Sequence, residues 1–154
     1  MKDPKSLASR DGKLREFNEL LVSISTNMML HEMDTLKKDF LLRDLSFQEM
    51  HTIEIIGNLE EVTMGELARA ARVTQGTMSV MVKKLVKKAL VERNGSPEDL
   101  RVVRVRLARK GRDAYRQHKE MHMKATREWL SLVSEEEQEI ILMVLKKINR
   151  FLRG

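Results

Sequence analysis

Gln75, Gly76, Thr77 and Ser79 stand together directly after Thr74, and Lys83, Lys84, Lys87 and Lys88 follow in the same segment. Small and polar groups at the start of a helix can press into a major groove and exchange hydrogen bonds with base edges. Lysines further along such a helix can meet phosphates. The chemistry these residues suit is recognition of double-stranded DNA, with Gln75, Gly76, Thr77 and Ser79 at bases and Lys83, Lys84 and Thr63 on the backbone. A second group suits metal binding. His118 and His122 are four residues apart, so on a helix they face one way and can share one ion. His31 or His51, with Glu32, Glu49 or Glu120, could complete an N/O set. All four histidines also fall on apolar stripes, where an imidazole is more often hydrogen-bonded in a core or a dimer interface. A third group is thioether: Met28, Met29, Met33, Met50, Met121 and Met123. Flexible methionines suit an adaptable apolar tunnel, although filling a core is their commoner role. The candidate effector pocket is therefore Met28, His31, Met50, His51, His118, Met121 and His122.

The elements that must hold these residues are marked by local signals. Thr63 and Glu66 make a T-x-x-E capping box, which starts a short helix with Leu67 and Ala70 on its inner face. Val73-Thr74 is a tight turn, with Thr74 the N-cap of the polar-tipped helix. Val91-Glu92-Arg93 and Val102–Leu107 alternate apolar and polar as half-buried strands do, and Asn94-Gly95-Ser96-Pro97 between them is a turn cluster. The hairpin is a wing beside the helix–turn–helix. Near its tip, Asp99 lies two residues before Arg101, on the same side of an extended strand, so the carboxylate can orient the guanidinium toward a narrow minor groove. Ser46–Glu49 and Ser134–Glu137 are further capping boxes. Helices are predicted at 12–38, from 46 to about 59, at 109–130 and after 134. Phe17, Leu21, Ile24, Met28 and His31 form a stripe on the first. Ile140, Ile141, Val144, Leu145, Ile148, Phe151 and Leu152 form one on the last. A small winged domain has no need of so much apolar surface at its termini. A two-fold dimer through the first and last helices is therefore expected, with two reading helices about one DNA turn apart.

Charge and composition set the bounds. Residues 83–116 hold 12 Lys/Arg against four Asp/Glu, a local +8, so in a chain of net charge +6 the remainder is at −2. A basic segment in a near-neutral protein is the footprint of a polyanion partner. With 154 residues the chain reads as one compact domain, and with 4% aromatic residues its core rests on aliphatics and 11 methionines. There is no cysteine, hence no disulfide or thiolate metal site. No apolar run approaches the ~18 residues of a membrane span, and the N-terminus is too polar for a signal peptide. A cytoplasmic protein without a membrane partner is the expectation. The sequence has no Gly-rich phosphate loop, no cysteine nucleophile and no G-x-S-x-G, so an enzyme is not expected.

The fold class expected is mainly α with a small β wing (α+β). Residues 45–107 form the winged helix–turn–helix, and 1–44 with 108–154 the helical dimerisation region. This order of elements, with V-E-R at 91–93 and P-E-D-x-R-x-V-x-V-x-L-x-x-K-G-R at 97–112, resembles the multiple-antibiotic-resistance regulator (MarR) family across essentially the whole chain. The resemblance implies a homodimeric repressor on a pseudo-palindromic operator, with a ligand cleft between the dimerisation helices and the reading head. Three positions depart from the family pattern: Ala89 stands where a helix-ending Gly is usual, and Val80 and Leu100 where Arg is common. Glu49–Ile53, Ile56-Gly57, Val73–Thr77 and the His118/His122 pair are similar to the fatty-acid-synthesis repressors of Gram-positive bacteria. That subgroup implies long acyl chains on acyl carrier protein, or a small apolar effector, as partner. The alternative is a zinc-responsive regulator, since zinc-sensing members of the family use an H-x-x-x-H on the corresponding helix. No other cofactor is expected. A non-specific DNA-coating protein would fit the charge but would not need the polar-tipped helix.

Overall fold

The computed structural model describes the backbone of residues 4–95 and 103–153, and side chains within 11–95 and 103–152. The element order is α1 (Pro4–Lys38), α2 (Phe47–Leu59), β1 (Glu61–Thr63), α3 (Met64–Ala70), α4 (Gln75–Lys87), β2 (Val91–Gly95), β3 (Val103–Leu107), α5 (Arg109–Leu130) and α6 (Glu135–Arg153). The mainly α fold with a small β wing is thus observed. The chain divides into two compact units, 1–51 and 52–154, and the division falls inside α2.

In the first unit, α1 begins earlier than the predicted residue 12. Proline is tolerated at a helix start because its missing N–H would have no intrahelical partner there. The turn after α1 is held by Asp39, whose Oδ1 accepts from the backbone N–H of Leu41 at 2.8 Å and of Leu42 at 3.1 Å. The Ser46–Glu49 box then opens α2: Ser46 N–H donates to Glu49 Oε2 at 2.8 Å, and Glu49 N–H to Ser46 Oγ at 3.2 Å. Leu36, Leu42, Leu45 and Met50 are buried, whereas Leu14, Phe17, Leu21, Ile24 and Met28 along α1 are exposed, Phe17 by 54%.

The second unit holds the sheet. Its strand order is β1-β3-β2, both pairs antiparallel, with Val62 opposite Val105 and Val91 opposite Leu107. The strand β1 was not expected. It is three residues long and gains its hydrogen bonds only from a partner some forty positions away, so no local alternation announces it. Val62, Val91, Val105 and Leu107 point into a core completed by Leu67, Ala68, Met78, Val82 and Leu85. Ala68 takes the inner place on α3 expected of Ala70, which is exposed. Gly111 lies where a Cβ would come 1.9 Å from the carbonyl oxygen of Leu90, so only glycine lets the start of α5 approach the strand so closely. The same carbonyl accepts from Ala108 N–H at 3.0 Å. Ser134 N–H donates to Glu137 Oε2 at 2.8 Å, closing the capping box of α6. Ile140, Val144, Leu145, Ile148 and Phe151 of that helix are exposed.

Candidate nucleic-acid interface

The reading helix α4 is fixed at both ends by its own sequence. At its start Thr74 Oγ1 accepts from Thr77 N–H at 3.2 Å and lies 2.9 Å from Thr77 Oγ1. At its end Leu90 N–H reaches Leu85 O at 3.0 Å and Ala89 N–H reaches Val86 O at 2.9 Å, with Ala89 at φ 58°. These two bonds are a Schellman closure, which ordinarily recruits glycine. Alanine adopts the same left-handed geometry here, so the missing glycine does not cost the chain its cap. The turn before α4 is closed alike: Val73 N–H donates to Ala68 O, Arg72 N–H donates to Arg69 O, and Arg72 lies at φ 54°. Preceding it, Thr63 and Glu66 complete their box, Thr63 N–H meeting Glu66 Oε2 at 2.9 Å and Thr63 Oγ1 donating to the same oxygen at 2.7 Å. These bonds, the backbone one foremost, hold the Glu66 carboxyl below its ordinary pKa.

Met78, Val82 and Leu85 bury one side of α4. At about 100° per residue the opposite side carries Gly76, Val80, Lys83, Lys84 and Lys87, all exposed. Beside it lies a cleft of about 490 Å³, lined by Val80, Lys83, Lys84, Val86, Lys87 and Arg93 of the wing. Thus Lys83 and Lys84 stand where the sequence put them, on an outward face shared with Gly76. Thr77 is exposed, but its hydroxyl is engaged with Thr74. Ser79 is half-buried toward the edge of the face. Gln75 is exposed, and its Nε2 lies 3.2 Å from where a Cβ on Gly65 would be, so its amide rests over α3. Thr63, expected at a phosphate, here donates its hydroxyl proton to Glu66 within the cap. Asp99 and Arg101 lie outside the described residues. Within the described part of the wing, Arg106 is paired across the strands with Glu92 at 2.9 Å, and Arg104 with Glu61 at 3.6 Å. Sequence reasoning passed over Lys87 and Arg93 as members of one cleft and treated Val80 only as a lost contact. The position of Lys87 four and seven residues after Lys83 and Val80 was the available signal.

Gly76 has no internal reason to be glycine. Among the described residues a Cβ there would meet only Thr74 Oγ1, at 3.8 Å, an ordinary contact, and its φ is not in the left-handed region. A glycine that weakens a helix without serving the fold leaves room for something outside it.

The candidate effector residues separate. Met50 is fully buried and packs as core, Met28 is exposed, and Met121 is half-buried. His31 is exposed, as is His51, whose ring stacks on Phe47 at 6.4 Å. Within the first unit a cleft of about 340 Å³ is lined instead by Met29, Met33, Leu36, Leu45 and Phe47, with Lys37 and Arg43 also present. On α5, His118 is buried and His122 half-buried, with their Nε2 atoms 3.1 Å apart. Two nitrogens bound to one tetrahedral zinc at 2.0–2.1 Å would stand about 3.3 Å apart, so the pair fits a shared ion as well as a shared proton.

A helix–turn–helix followed by a β-hairpin and flanked by long helices defines the winged-helix class. The MarR family profile matches residues 45–103. Among solved structures, Streptococcus pneumoniae FabT in complex with DNA is 34% identical over 91% of this chain and 97% of its own, with a TM-score of 0.86. A MarR family protein from Bacillus stearothermophilus shares the fold at 21% identity and TM-score 0.81, covering 94% of this chain and 98% of its own. The uncharacterised HTH-type transcriptional regulator YdgJ of Bacillus subtilis is 25% identical over 68% of this chain, and the match spans 64% of that relative's length, just under two thirds. The chain belongs to the MarR family. Its relatives are regulators rather than enzymes, as the missing catalytic motifs led one to expect. No helix among the described residues is long and apolar enough to cross a membrane.

Proposed function

We propose that this protein is a repressor that binds a pseudo-palindromic operator as a homodimer and controls fatty-acid-synthesis genes in response to long acyl groups. The observation that carries the DNA reading is the outward face of α4: a helix capped at both ends, open at Gly76 and basic at Lys83, Lys84 and Lys87. The 34% identical FabT was crystallised on DNA. The dimer is supported by the exposed apolar stripes of α1 and α6, which a second copy would cover. The acyl reading rests on the motif likeness to fatty-acid-synthesis repressors and on the methionine-lined cleft of the first unit. There an apolar chain would lie against Met29, Met33 and Phe47 while Lys37 or Arg43 meets an anionic group.

The test is enrichment of bound sequences from a random duplex pool, followed by titration of the enriched duplex against random DNA over a range of salt. The expected outcome is an inverted repeat bound at least ~10³-fold more tightly than random duplex. A ratio near one with a steep salt slope would make the protein a general DNA coat. Long-chain acyl carrier protein, added at fixed operator concentration, is expected to shift the binding curve, and an unshifted curve removes the acyl effector.

A second effector reading is favoured by the Nε2 spacing of His118 and His122: a zinc-responsive regulator in which both imidazoles bind neutral. Calorimetric titration of zinc into chelator-stripped protein decides it. Binding that disappears in the His118→Ala, His122→Ala variant would displace the acyl reading, and absence of binding would leave the pair structural.

A further inference from the structure

We infer that Gly76 and Val80 together form a subsite for the C5-methyl group of thymine, so that α4 reads one base through an apolar contact. This rests on the operator-binding reading and deepens it. Val80 is 57% exposed at the middle of the outward face, on the side of the helix opposite Met78, Val82 and Leu85. Packing within the chain does not ask for a branched apolar residue there, and a charged or amide side chain would be better solvated. Its neighbours on the face are of another kind: Lys83 and Lys84 are long cations with the reach of phosphates. Gly76 lies one turn before Val80, and residues four apart are neighbours on a helix surface. The missing side chain at 76 leaves a notch one turn from Val80, and among the described residues only Thr74 Oγ1, 3.8 Å from where a Cβ would stand, comes near it. Val80 also lines the cleft it shares with Val86, Lys83, Lys84, Lys87 and Arg93.

The thymine C5-methyl is the one apolar group that projects from a base pair's major-groove edge; cytosine presents only a C5 hydrogen there, and the remaining features are hydrogen-bond donors or acceptors. A valine pressed into that groove by flanking lysines loses hydration without compensation over cytosine N4 or guanine O6. Over a thymine methyl it gains apolar burial instead. The pair therefore selects by matching shape and polarity, and Val80 supplies a contact of a different kind from the arginine often found at this place in the family.

The experiment uses the full chain and the duplex enriched from the random pool, synthesised with uracil in place of thymine at single positions. Uracil keeps every hydrogen-bonding group and lacks only the methyl. Wild type is expected to bind about three- to fivefold more weakly when one particular thymine of a half-site is replaced, the loss of roughly one buried methyl. Val80→Ala is expected to bind thymine and uracil duplexes at that position within a factor of two of each other. Lys83→Ala should weaken both and keep the wild-type ratio. Val80 is exposed, so its truncation leaves the core intact, and thermal melting of the variant checks that. Wild type indifferent to uracil at every position, or Val80→Ala retaining the wild-type ratio, overturns the subsite while operator binding stands. Failure to enrich any sequence overturns the operator reading and the subsite with it.

Discussion

The reading head, Val62 to Leu107, and the last helix, Glu135 to Arg153, answer the same question in opposite ways. In the reading head each helix end finds its partners within a few residues, and the apolar side chains meet one another: Val62, Leu67, Met78, Val82, Leu85 and Val105 are all buried. What stays exposed on α4 is polar, basic or small, with Val80 and Val86 as the exceptions. Helix α6 is also well capped, by Ser134 and Glu137, but Ile140, Leu145, Ile148 and Phe151 remain in solvent, Phe151 by 85%. The difference separates two sources of structure. One segment is completed by its own residues, and the other presents an apolar stripe that its own unit leaves uncovered.

Breaking the second kind of completion should have the largest effect. Leu145→Asp with Ile148→Asp places two charges in the α6 stripe. Sedimentation should then report a monomer, and operator affinity should fall by roughly 10²-fold or more as the two half-sites lose their linkage. A dimer that survives both charges would place the interface elsewhere. Next comes the internal completion of the second unit. Gly111→Ala drives a Cβ into the Leu90 carbonyl and should lower stability by about 3 kcal/mol, measured by urea unfolding. A change within experimental error would mean that α5 can retreat from the strand.

Gly76→Ala sharpens the contrast because two properties should move in opposite directions. Replacing a helical glycine should raise stability by about 0.5 kcal/mol, since nothing in the fold resists the new methyl. Operator affinity should drop roughly tenfold as the close approach is lost. Parallel changes in the two would refute the idea that the glycine serves DNA. The smallest effect concerns Glu66. Its folded pKa lies below the ordinary carboxylate value, so its stabilisation is fully present above the unfolded pKa. That contribution is lost as pH falls through the lowered folded value. Glu66→Gln should flatten the stability–pH curve in that acid window and nowhere else, and an unchanged curve would remove the carboxylate from the cap.

The sequence was legible where the determinant is local. All three capping boxes form, and α5 spans the predicted 109–130, because a serine or threonine three residues before a glutamate needs no distant partner. It was opaque where the determinant lies far along the chain. Strand β1 exists because Arg104–Arg106 lie beside it, and no pattern within Glu61–Thr63 could say so. The methionines show the same limit on a finer scale. Met28 and Met29 are about equally exposed, yet Met29 and not Met28 lines the cleft, and Met50 is core. Spacing placed Lys83 and Lys84 on one exposed face of α4, but could not show that Thr63 spends its hydroxyl on its own helix.

Tyr115 covers Gly57 so closely that a Cβ there would lie 2.6 Å from the ring, and its hydroxyl donates to Asn58 Oδ1 at 2.7 Å. The ring is thus a tooth set in a gap of the α2 backbone and pinned at its tip. Sliding or turning α5 against the last turn of α2 would have to lift that tooth first. A side chain at position 57 would have to displace that ring, so the two segments fit together here only through the glycine.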